Sequence, residues 1–105
     1  MGRKVMKYNK LVRDKIPEYI RQKGGNPIYH LADEKEYWEK LKEKLLEEAS
    51  EFKAAESKQE LADLLEVVDA IFKYKGFDRK EIEEIRTSKA SERGRFEDRI
   101  ILEES

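Results

Sequence analysis

Cysteine is absent from this 105-residue chain, and proline (two), glycine (five), histidine (one) and tryptophan (one) are scarce. The lack of thiols excludes disulfides, thiolate metal sites and cysteine nucleophiles. The one histidine, His30, falls on a short strand candidate and is given no catalytic role, and nothing supports a Ser–His–Asp arrangement. No long apolar run occurs, so neither a membrane span nor a signal peptide is expected, and a reducing cytoplasm is the expected setting. Neither sign of charge is in excess, since 23 basic and 24 acidic side chains give a net charge of −1. That balance supplies no general attraction to nucleic acid or to an anionic membrane, and neither is expected as a partner.

What is present favours helices. Charged residues make up 45% of the chain and the apolar set 38%, with Glu, Lys, Leu and Ile dominant. Such a composition suits helices with narrow apolar stripes and solvated outer faces. The length allows one domain over residues 1–105, and a domain so small buries a modest share of its surface, so self-association is expected. Basic residues gather near the start, where Arg3, Lys4, Lys7, Lys10, Arg13 and Lys15 fall within thirteen positions. They form either a solvated arm or a segment that faces phosphate.

Residues 1–12 read as extended or irregular. Asp14 can cap a helix running to about residue 23, with Pro17 in its first turn, where a missing N–H costs little. Gly24-Gly25-Asn26-Pro27 ends it. Asp33 with Glu36, Ser57 with Glu60 and Asp78 with Glu81 are three capping-box signatures. They open helices at about 34–55, 58–75 and 79–93, the last two closed by Gly76 and Gly94. Residues 28–31 and 99–102 are short strand candidates that could pair. The expected fold is all-α, a helical bundle on a central antiparallel hairpin, with one or two peripheral strands and completion by oligomerisation.

Some acids stand in unexpected places. At about 100° per residue, Tyr37, Trp38, Leu41, Leu45, Ala49 and Phe52 gather on one arc of the second helix. Glu48 falls inside that arc and Glu51 on its shoulder, whereas Glu47 lies on the opposite side. An ionised carboxylate on a core face needs a cation, a proton or strong hydrogen bonds. On the third helix, Leu61, Leu64, Leu65, Val68, Ile71 and Phe72 form the main apolar face. Asp63 lies outside it, in a weaker strip with Glu60, Val67 and Ala70. Glu48/Glu51 and Glu60/Asp63 are thus two i, i+3 pairs that a hairpin would bring face to face. Four converging carboxylates require a hard divalent cation, Mg²⁺ or Mn²⁺ rather than zinc, or else acid–lysine pairing or raised pKa values. Glu60 also sits where a capping-box glutamate folds back on its cap, so it is either ligand or cap.

The stretch Lys44-Leu45-Leu46-Glu47-Glu48-Ala49-Ser50-Glu51, followed by Glu60-Leu61-Ala62-Asp63-Leu64-Leu65, resembles the E-x-x-E … E-x-x-D signature of the MazG-like all-α nucleoside triphosphate pyrophosphohydrolases. The opening Tyr8-Asn9-Lys10-Leu11-Val12-Arg13-Asp14-Lys15-Ile16-Pro17 is similar to the start of a predicted house-cleaning subgroup. Lys89-Ala90-Ser91-Glu92-Arg93-Gly94-Arg95-Phe96 fits the basic segment that follows the metal helices there. Eight residues separate Glu51 from Glu60, which demands a tight turn.

The resemblance implies Mg²⁺-dependent hydrolysis of a nucleoside triphosphate, standard or modified, to monophosphate and pyrophosphate by attack of an activated water. It makes Glu48, Glu51 and Asp63 metal ligands, Glu60 a ligand or the activating base, and Glu48 a second candidate for that base. Lys10, Arg13, Lys15, Lys89 and Arg93 become candidates for holding phosphate. Lys89 and Arg93, four apart on one helix face, could equally complement the helix dipole. A homodimer or homotetramer is the implied active unit. The alternatives are a phosphoribosyl-ATP pyrophosphohydrolase and a non-enzymatic helical oligomerisation or regulatory module.

Overall fold

A computed structural model describes residues 9–105, so Arg3, Lys4 and Lys7 of the basic cluster lie outside the described residues. Four helices follow in order: α1 (Ile16–Gln22), α2 (Glu34–Ala55), α3 (Lys58–Lys75) and α4 (Arg79–Arg93). The chain divides into two compact units, Met1–Ile71 and Phe72–Ser105. The fold is all-α; no strand forms among the described residues.

The caps explain most helix boundaries. Asp33 is extended and its carboxylate accepts from the Glu36 N–H at 2.8 Å, which satisfies one of the orphan donors at the start of α2. Ser57 Oγ accepts from the Glu60 N–H at 3.2 Å and opens α3. Asp78 caps α4, but through the Lys80 N–H at 3.1 Å. Gly76 (φ 65°) and Gly94 (φ 82°) supply the positive φ that ends α3 and α4. No glycine ends α2, where Glu56 itself takes the left-handed conformation at φ 54°.

Three expectations are corrected. Asp14 does not cap α1: Lys15 holds the cap position without a side-chain bond, and Pro17 still falls in the first turn. Residues 28–31 and 99–102 are not strands. Arg99 has φ 57°, outside the extended region, and Pro27 removes a donor just before the first segment. Side chains fix that segment instead, with Arg21 Nη2 donating to Tyr29 Oη at 3.0 Å and His30 Nε2 lying 2.8 Å from Glu36 Oε1.

The third correction concerns the face that α3 turns inward. In the Met1–Ile71 unit, α2 and α3 make an antiparallel hairpin joined by residues 56–57. Leu41 of α2 and Val67 of α3 are the buried apolar side chains. Tyr37, Trp38, Leu45 and Phe52 are half-buried beside Leu41 on α2, but Ala49 is exposed. On α3 the strip with Glu60, Asp63 and Val67 faces inward together with Leu64, Val68, Ile71 and Phe72 of the expected main face, which are half-buried, while its Leu61 and Leu65 are 43% and 56% exposed. The inward face of α3 is therefore rotated toward Val67 relative to the expected one, and not reversed. In the second unit no described residue is buried, and Phe96, Ile100, Ile101 and Leu102 are exposed.

Candidate metal centre

The hairpin places Glu48 about two turns from the end of α2 against the first two turns of α3. Glu48, Glu60 and Asp63 each offer a carboxylate oxygen, and these oxygens all lie within 4.8 Å of one another. Glu48 is buried at 6% exposure, and Glu60 and Asp63 are half-buried. Glu51 is exposed and stands outside this trio. Glu48 Oε2 and Glu60 Oε2 are buried and lack a hydrogen-bond partner. The cap at Ser57 engages the backbone N–H of Glu60, and its Oε2 is left unbonded.

The electrostatics separate two sequence neighbours. Burial pushes the Glu48 carboxyl above its ordinary value, and the charges of Glu51 and Asp63 add to the rise, opposed by Lys44. Lys44 Nζ stands 3.5 Å from Glu48 Oε1 and 3.5 Å from Glu47 Oε2. Burial also acts to raise Glu47. There the hydrogen bond from Lys10 at 3.1 Å, with the charges of Lys44 and Lys10, outweighs it and holds the carboxyl below its ordinary value.

Of the basic candidates, Arg13 reaches the trio: its Nη2 donates to Asp63 Oδ1 at 2.8 Å across fifty residues of sequence. Lys10 is paired with Glu47, and Lys15 is exposed before α1. A cleft of about 260 Å³ lined by Lys10, Leu11, Lys40, Glu43, Lys44 and Glu47 lies under the N-terminal segment. Its lysines are spent in ion pairs, Lys40 with Glu43 at 3.3 Å and the other two with Glu47. Lys89 and Arg93 are exposed on α4 in the second unit.

The trio fits a hard divalent cation. Oxygens bound to one Mg²⁺ at about 2.1 Å lie at most about 4.2 Å apart, so side-chain rotations suffice to close the observed spacing. Two buried, unbonded carboxylate oxygens are costly when ionised, a cost that a bound cation or a proton would offset. The donor set is oxygen throughout, which suits Mg²⁺ or Mn²⁺. Sequence reasoning overlooked Lys44, although its i, i+4 spacing to Glu48 was there to read. No local spacing could announce the Arg13–Asp63 pair.

Fold and site together define an all-α chain carrying a partly buried three-carboxylate cluster on a helix hairpin. No family model matches the chain. It is similar to a protein of Mycolicibacterium smegmatis described as uncharacterized, with 46% identity over 48 residues. The match covers 46% of this chain and 49% of that protein, about half the length of each. No solved structure matches.

Proposed function

We propose that this chain is a Mg²⁺-dependent nucleoside triphosphate pyrophosphohydrolase of the MazG-like kind, acting on standard or modified nucleotides. The observation that carries the reading is the convergence of Glu48, Glu60 and Asp63, with one buried, unbonded oxygen on each of the two glutamates. The motif order along the chain supports it. Glu48, Glu60 and Asp63 hold the cation, which when bound supplies positive charge to neutralise and orient the triphosphate. Glu51 acts from the rim through its charge on Glu48. Glu48 and Glu60 are the two candidates to receive a proton from the attacking water, since both reach the centre of the cluster. Among the described basic residues of the N-terminal segment, Lys15 is exposed and is left as the candidate to meet phosphate, since Lys10 and Arg13 already hold carboxylates. A second copy covers the Leu61/Leu65 face, giving a homodimer or homotetramer; the exposure of both leucines beside so small a core supports this.

The test is pyrophosphate release from a panel of standard and modified triphosphates and phosphoribosyl-ATP, with Mg²⁺ and with chelator, alongside Glu48→Gln. Turnover that needs Mg²⁺ and falls at least a hundredfold in Glu48→Gln is expected. Full activity in chelator, or an unimpaired Glu48→Gln, overturns the reading. A helical module without enzymatic activity would show neither turnover nor stabilisation by Mg²⁺.

A further inference from the structure

We infer that Arg13 is a positioning residue for the cation site: it fixes the Asp63 carboxylate in the orientation that completes the trio, and is not a free phosphate-binding group. The inference rests on the reading of Glu48, Glu60 and Asp63 as a divalent-cation site.

The geometry carries it. Arg13 Nη2 donates to Asp63 Oδ1 at 2.8 Å, within the usual range of a charge-assisted bond. A guanidinium bound to one carboxylate oxygen leaves the other oxygen to turn toward Glu48 and Glu60. Carboxylates that ligate metals are commonly held by such outer partners. Asp63 is also the member of the trio most in need of one, because its side chain is 42% exposed and otherwise free to rotate into water. Glu48, in contrast, is held by burial and Lys44.

Arg13 is not on a loose arm. Three residues earlier, Lys10 is anchored to Glu47 of α2 at 3.1 Å. Three residues later, the Ile16 N–H donates to the Arg13 carbonyl at 3.1 Å and begins the turn into α1. Between the anchors Leu11 is half-buried. Residues 10–16 therefore run across both helices of the hairpin, tied to α2 by Lys10 and to α3 by Arg13.

The sign of one measurement separates this role from the others. Removing a positive charge beside a cation site should tighten cation binding by plain electrostatics. An arginine reserved for phosphate would show that tightening, or no change, when metal alone is titrated. A positioning arginine does the opposite, because its loss frees Asp63, and loss of such outer partners weakens metal binding by about 10- to 100-fold. Mn²⁺ binding to the full chain, followed by electron paramagnetic resonance without nucleotide, reads this directly. Expected are a Kd raised at least tenfold in Arg13→Gln and partial recovery in Arg13→Lys. Lys10→Gln, which removes a like charge and one anchor of the segment but leaves the Arg13–Asp63 bond itself in place, should weaken binding by clearly less than Arg13→Gln does. Unchanged or tighter binding in Arg13→Gln, or an equal weakening in Lys10→Gln, overturns the inference while leaving the cation site standing. Absence of Mn²⁺ binding by the unsubstituted chain overturns both.

Discussion

Glu47 and Glu48 are adjacent, each lies 3.5 Å from the same Lys44 ammonium, and their carboxyls are displaced in opposite directions. The difference comes from what else each meets. Glu47 receives Lys10 at the mouth of a cleft, whereas Glu48 turns into the hairpin toward two more acids and keeps an oxygen unbonded. With Lys10 held by Glu47, the Lys44 ammonium cannot neutralise Glu48, Glu60 and Asp63 together, and Arg13 reaches only Asp63.

Mg²⁺ should therefore stabilise the fold through Glu48 and not through Glu47. A cation bound only by the native state at a hundred times its Kd adds about 2.7 kcal/mol. Thermal unfolding with Mg²⁺ and with chelator should show that gain in the unsubstituted chain and in Glu47→Gln, and none in Glu48→Gln. In chelator, Glu48→Gln should be at least as stable as the parent, since the amide carries no charge to desolvate. A Mg²⁺ shift that persists in Glu48→Gln would exclude the trio as its source.

The pH dependence of the metal-free chain follows from the same carboxyl. Glu48 binds its proton more tightly folded than unfolded, where its ordinary value is 4.5. The native state therefore holds more protons above that value, and stability falls as pH rises from about 4.5 through the folded pKa of Glu48. Glu47 works the other way: its contribution is present above 4.5 and is lost as pH falls through its depressed folded value. Melting temperatures in chelator across pH 3 to 8 should thus decline less on the alkaline side in Glu48→Gln than in the parent. Parallel curves would mean that Glu48 is not held protonated by its surroundings.

How far the sequence disclosed this structure depended on the range of each signal. Asp33, Ser57, Asp78, Gly76 and Gly94 act within one turn, and the helix limits they imply agree with those found for α2, α3 and α4. Placing Glu48 among core positions needed only the helical repeat, and it is buried. The apolar repeat placed Leu64, Val68, Ile71 and Phe72 of α3, which are half-buried, but the exact rotation depends on packing against α2, so Val67 is buried while Leu61 and Leu65 are exposed. The Arg13–Asp63 contact depends on how the N-terminal segment crosses the hairpin, and no periodic pattern carries that information. The strand candidates failed because apolar, β-branched spelling cannot supply a neighbouring strand.

Ser57 links the cap of α3 to the cluster. Its hydroxyl accepts from the Glu60 N–H at 3.2 Å, which fixes the first turn that carries Glu60. Ser57→Ala should cost about 1 kcal/mol of stability and also weaken Mn²⁺ binding, while Ser57→Asp, which can cap as well, should restore both. Equilibrium unfolding in urea reads the first effect and metal titration the second. A loss of stability with unaltered metal affinity would show that the cap and Glu60 act independently.

The leucines of the hairpin give the last test, because inner and outer positions should respond to different variables. Leu41 is 1% exposed, so Leu41→Ala should cost about 2–5 kcal/mol whatever the protein concentration. Leu61 and Leu65, four apart on α3, are about half open within one chain, and truncating them there would remove much less buried area than at Leu41. If a second copy covers them, Leu65→Lys must place a charge in that contact, lower the mass seen by sedimentation and make the melting temperature less dependent on concentration. The parent should sediment as a dimer or tetramer at micromolar concentration and the variant as a monomer. A parent that is monomeric throughout, with Leu65→Lys equally stable, would show that this face belongs to solvent and that the chain folds on Leu41, Val67 and their half-buried neighbours alone.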